Sequence, residues 1–250
     1  MSQYFPHEKL DVYAKSLSFV QLAMGQLESW PASASVRDQL DRATESMLTN
    51  LVKAVQRRHS SQGVYFLECS LGSVLECAAC FDVASVKGLL AESELHNGKK
   101  LLQAIAQMEV GMRRSWAPAI HEDAEPYEVR AKVYFFHESL TVYQRALQLC
   151  RVLEAGMRAD ATRGLRYARR IDELMTSLIL NIAEGNGRFS HVEHAKFLDV
   201  ADEAGIKLAA YLDLVSGAWH IDVGPAKSLL REVLAMLAGL KGYLVESANE

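Results

Sequence analysis

The chain predicts an all-α protein: two tandem antiparallel up-down-up-down four-helix bundles joined by a short linker. Three observations point that way. Half of the 250 residues are apolar and only five are proline, with Ala, Leu, Glu, Arg and Lys running through the rest, as in a packed helical protein. Apolar residues recur at steps of three and four, the spacing of one helix face. Finally, Phe5, His7, Glu8, Leu10, Val12, Tyr13 and Leu17 return as Phe135, His137, Glu138, Leu140, Val142, Tyr143 and Leu147, an offset of 130, so one unit reads as copied end to end. Units of about 125 residues can each bury a core. Domains are therefore expected over 1–116 and 127–250, with 117–126 as linker. No sheet is expected.

In the first unit, Leu10, Tyr13, Leu17, Val20, Met24 and Leu27 form one stripe on a helix that ends near Trp30 and Pro31. Ser35, with Asp38 three residues on, resembles a capping box and opens a second helix that runs to about Arg58. A third follows the turn at Ser60 to Gly63 and ends near Ala84, and a fourth spans about Glu94 to Arg114. The linker, Ala117 to Pro126, has two prolines, an acidic cluster and no helical period. The second unit repeats the plan, with helices from about Tyr127 to Met157, Arg163 to Glu184, after Ser190, and Pro225 to about Glu246. Ser190 with Glu193 makes a capping box, and Pro225 suits a first helical turn. Registers match as well: Asn50 with Asn181, Arg57 with Arg188 and Phe66 with Phe197 at 131, and Lys99, Met108 and Gly111 with Lys227, Met236 and Gly239 at 128.

Charge narrows the function classes. The net charge is −4, with 12 basic and 15 acidic residues over 1–126 and 15 and 16 over the remainder, so neither half is a basic nucleic-acid module. Four cysteines (Cys69, Cys77, Cys80, Cys150) and an N-terminus without a signal-peptide pattern are expected to mean free thiols in a reducing cytoplasm. No uninterrupted apolar run reaches the ~18 residues of a membrane span, and no membrane association is expected.

Asn181, Glu184, Gly185, Gly187 and Arg188, at the end of a second helix and followed by Ser190 and a helix with Phe197 and Leu198, resemble the signature of the 23S rRNA intervening-sequence four-helix-bundle family. The opening from Leu140 to Tyr143 fits it too. The first unit lacks the Glu-Gly-x-Gly-Arg tail, reading Asn50 to Arg57 there, but keeps Gly72, Ser73 and Glu76, where the family carries Gly-Ser-x-x-Glu. The resemblance covers nearly the whole chain outside the linker and is more specific in the second unit. It implies small helical bundles, often in rings of five. One branch, the accessory variability determinant proteins of diversity-generating retroelements, partners a reverse transcriptase and its RNA through a basic surface. This chain departs in being acidic and doubled. Beside the family reading stands a conformational one: Gly185 and Gly187 can supply positive φ at a helix end, Asn181 can bond nearby backbone, Arg188 can pair with Glu184 or grip a phosphate, and Gly72 and Ser73 let helices approach.

Other constellations read as structural. Arg163, Arg166, Arg169 and Arg170 share a helix face and form the best basic patch, a candidate for phosphate that Asp160, Asp172 and Glu173 would balance. Cys69, Cys77 and Cys80 lack a fourth ligand and a knuckle, so they read as buried small hydrophobes and not as zinc ligands. His191 and His194 are not in His-Glu-x-x-His order. His7 with Glu8, and His137 with Glu138, stand at helix entrances, where packing or capping suits them better than acid-base chemistry. Asn97 to Lys100 lacks a phosphate-loop frame. No catalytic residue, metal or cofactor is expected. The function expected is a non-catalytic helical assembly or adaptor protein, on the resemblance serving a nucleic-acid-handling complex such as a reverse transcriptase and its RNA. The alternatives are a pure protein-protein scaffold and direct RNA binding through the Arg face. Any self-association is expected to hold an even number of bundles.

Overall fold

The computed structural model describes residues 5–116, 134–159 and 165–247. All regular structure among them is helical: α1 (Asp11–Ser29), α2 (Ser35–Gln56), α3 (Ser61–Val86), α4 (Glu92–Trp116), α5 (Thr141–Ala159), α6 (Leu165–Gly185), α7 (His191–Trp219) and α8 (Gly224–Ser247). A short 3-10 helix precedes α1 (Pro6–Lys9) and another precedes α5 (Phe136–Ser139). The linker, 117–126, lies outside the described residues.

Local chemistry places most of the boundaries. Ser60 accepts the N–H of Gly63 and Ser190 that of Glu193, so each caps the helix after it. Gly88, at φ 67, supplies the left-handed residue that ends α3. Two expectations are corrected. Ser35 is not a cap but the first residue of α2; its N–H donates to Asp172 Oδ2 at 2.9 Å and its hydroxyl lies 2.7 Å from that of Thr176. The cap of α2 is thus supplied by α6, 137 residues away. The long helix expected from Tyr127 gives way, over its described part, to the 3-10 helix and a start at Thr141, because Glu138 turns back to accept the N–H of Tyr134.

In the first set of four, α1 and α3 each pack on α2 and α4; in the second, α5 and α7 each pack on α6 and α8. Short connections between packed neighbours make both sets up-down-up-down. The sets are not separate inside. α3 also packs on α5 and α6, and α2 on α6, so the buried apolar residues form one continuous cluster. Two self-contained cores were expected; the seam between the bundles is itself core.

This explains α3. Its composition would allow a membrane span, yet 67% of the apolar window is buried within the protein. A helix apolar on all sides is one covered on all sides, and here Leu71, Val74, Leu75, Ala78, Ala79 and Val83 are all buried.

Candidate functional site

The seam holds most of the family-motif residues. α3 and α6 cross it antiparallel: Gly72, near the middle of α3, meets Gly187 beyond the end of α6, while Lys87 beyond α3 pairs with Asp172 in the first half of α6.

At the first end, a Cβ on Gly187 would sit 2.8 Å from the Gly72 Cα, and one on Gly72 would lie 3.3 Å from Arg188 and Glu184 side-chain atoms. Neither Gly185 nor Gly187 has a positive φ, so the helix-closing role allowed for them is corrected: they are absent side chains at a contact. A Cβ on Gly185 would come 2.7 Å from the His194 ring. Arg188 lies along the gap, donating to Glu184 Oε1 at 3.0 Å and to Cys69 Sγ at 3.3 Å, with its guanidinium 4.7 Å from the Phe197 ring. Its side chain is 11% exposed, so of its two expected uses the pairing with Glu184 is the one the fold employs. Glu76 faces the same gap. Burial, and then the Glu184 carboxylate, push its pKa up to about 8. Asn181 lies near the C-terminal end of α6 and donates to the Ser177 carbonyl at 2.8 Å, and Ser73 bonds the Ser46 hydroxyl at 2.8 Å.

Midway along the seam lies a buried ion cluster that sequence reasoning missed. Lys99 Nζ, on α4, sits 2.6 Å from Asp82 Oδ2 on α3 and 2.6 Å from Glu138 Oε1 on the second 3-10 helix. Tyr143 donates its O–H to Asp82 at 2.8 Å. Burial alone would lower the Lys99 pKa, but the Asp82 and Glu138 charges outweigh it and hold the ammonium charged. His137 stacks on Phe135 and meets the Tyr143 ring edge-on. Burial, then Lys99, hold its pKa well below the usual value, so it is neutral. Asp82, His137 and Glu138 could be taken for a metal site, but the Lys99 ammonium already occupies the position between the two carboxylates. The available signal was the return of Lys99 as Lys227 and of His7-Glu8 as His137-Glu138. Capping is indeed one job of these acids: Glu8 accepts the Phe5 N–H as Glu138 accepts that of Tyr134.

The Arg face is elsewhere. Arg169 and Arg170 are exposed and both bond Glu173, at 3.0 and 2.8 Å. Arg163 lies outside the described residues, as does the side chain of Arg166. Burial pushes the thiols of Cys77 and Cys80 well up and that of Cys150 to about 12, so all three stay protonated.

The family model of the 23S rRNA-intervening sequence protein matches residues 8–111. Residues 8–111 are similar to that family. The matched segment runs from the first 3-10 helix into α4 and contains Gly72, Ser73 and Glu76. The match falls on the unit that carries fewer of the signature residues, where the resemblance had been read as the weaker. No curated protein and no solved structure matches the chain.

Proposed function

We propose that the chain is a non-catalytic adaptor made of two fused copies of an intervening-sequence protein unit, serving a nucleic-acid-handling complex such as a reverse transcriptase and its RNA. The observation that carries this reading is the use of the seam. Lys99 and Asp82 meet Glu138 and Tyr143 across it, Lys87 meets Asp172, and Arg188, held by Glu184 of its own bundle, reaches Cys69, so the bundles are locked into one body. Groups so engaged hold a shape; they are not poised toward a substrate. The partner then meets outer helix faces, as helical bundles commonly bind through their surfaces.

The test is co-elution of the purified chain with a reverse transcriptase encoded beside it, with and without nuclease. Nuclease-resistant co-elution supports the protein-bridging form. Loss on nuclease treatment supports the form in which RNA is held directly, for which the exposure of Arg169 and Arg170 speaks; R169E/R170E then abolishes a salt-sensitive gel shift. Co-elution with another protein and neither reverse transcriptase nor RNA leaves the pure scaffold, which the acidic net charge of −4 favours.

A further inference from the structure

One end of the second bundle is hollow where the matching end of the first is filled. In the first, the Phe81 ring lies so close against Gly98 that a Cβ there would come 2.2 Å from it, and it meets Phe19 at 5.6 Å and the Trp30 ring at 6.5 Å. All three rings are buried. At the same end Gln26 donates to Glu94 Oε1 at 2.8 Å, and Arg37 donates to the Leu27 carbonyl at 2.9 Å.

The offsets of the repeat carry Phe81 to Leu212, Arg37 to Ala168, Gln26 to Gly156 and Glu94 to Asp222. Every replacement is the smaller side chain. All four line a cavity of about 240 Å³ between the ends of α5 and α7 and the starts of α6 and α8. Trp30 corresponds to Asp160, which carries no ring and lies outside the described residues. A Cβ on Gly156 would meet nothing within 4 Å. The described lining is apolar except for Asp222, which is exposed at the rim. Asp222 Oδ1 accepts the Gly224 N–H at 2.9 Å, as Glu94 Oε2 accepts that of Ala91 at 3.1 Å, but among the described residues no donor takes the place of Gln26 at Oδ2.

What the second bundle lacks defines what fits it: an aromatic body and an N–H donor. An apolar cavity of about 150 Å³ holds benzene, so one of about 240 Å³ has room for two fused rings. A protonated amine answers the one charged lining group with a charge-assisted hydrogen bond, and a carboxylate is repelled by it. We propose that this cavity is a binding site for a small arylalkylamine, with its fused rings among α5, α6, α7 and α8 and its ammonium on Asp222 Oδ2. The ligand puts back what Phe81, Trp30 and Gln26 supply in the first bundle, an apolar pocket with a single polar group fixing the orientation.

The test is isothermal titration calorimetry of the purified full chain with tryptamine, with no nucleic acid or second protein, so its outcome is independent of the adaptor reading. One saturable site is expected, at least about tenfold tighter than for ethylamine, which lacks the rings, or for indole-3-acetate, which carries the opposite charge. D222N keeps the acceptor for Gly224 and brings tryptamine and indole-3-acetate to within about threefold of each other. G156Q returns the Gln26 side chain to the cavity and weakens tryptamine by about tenfold or more, with circular dichroism confirming that the helix content is unchanged. No saturable binding at millimolar tryptamine, equal affinity for the three probes, or affinities that either variant leaves unchanged overturn the proposal.

Discussion

Glu109 shows how much one buried carboxyl can control. It is 1% exposed, its Oε1 lies 2.6 Å from Ser70 Oγ, and Ser70 is also 2.9 Å from the Met47 carbonyl. Ser70 has a single proton to give. A protonated Glu109 resolves the conflict by donating to Ser70, which then donates to Met47, and burial pushes the Glu109 pKa up to about 8 in accord. A raised carboxyl pKa means that the folded state binds the proton more tightly, so this stabilisation is present below the ordinary carboxyl value and lost as pH rises toward about 8. Chemical denaturation between about pH 6 and 8 is expected to show falling stability. E109Q keeps a donor toward Ser70 and should reduce that slope, with Glu76, also pushed up to about 8, carrying the rest, and should gain about 2 kcal/mol near neutrality; a slope that persists unchanged assigns it elsewhere. The two seam glycines separate in the same way. G187A drives a Cβ into backbone at 2.8 Å and should lower stability by about 1–3 kcal/mol. G72A meets only side-chain atoms at 3.3 Å and should cost less, so thermal melts of the two variants test which contact is rigid.

At the scale of elements, α2 and α6 depend on each other. Asp172 both receives the first N–H of α2 and pairs with Lys87, which is 7% exposed. D172A removes a cap and half of a buried ion pair together, and is expected to destabilise by roughly 3–5 kcal/mol, read by denaturant unfolding. D38A, at the position expected to complete a box with Ser35, should change little. That contrast also marks how far the sequence was legible. The eight helices could be placed from apolar spacing and turn residues because both are local signals, and the ends near Trp30, Ser60 and Ser190 follow from residues at those very places. Ser35 and Asp38 imitate a local cap, but the true donor-acceptor pair spans 137 residues, which no window of sequence contains. The same holds for Lys99. Its return as Lys227 was visible, while its meeting with Asp82 and Glu138 depends on how one bundle leans on the other. Gly185 and Gly187 were noticed for a backbone freedom they do not use, since a missing side chain at a contact and a left-handed turn leave the same letter.

At the scale of the whole molecule, one continuous core replaces the two independent ones that the repeat implied, and the seam groups are buried with their partners across it. Calorimetry of the full chain is accordingly expected to show one cooperative transition, with the measured and van't Hoff enthalpies agreeing; two separate peaks would show that the bundles melt independently. The cover that α6 gives to α3 also sets a timetable for synthesis. The ribosome completes α3 at Val86 and reaches the end of α6 only at Gly185, a gap of roughly 100 residues, or about 5–20 s at ordinary elongation rates. Throughout that interval the nascent first bundle shows water the oily flank that its sister will later hide, which makes it a client for chaperones while it waits.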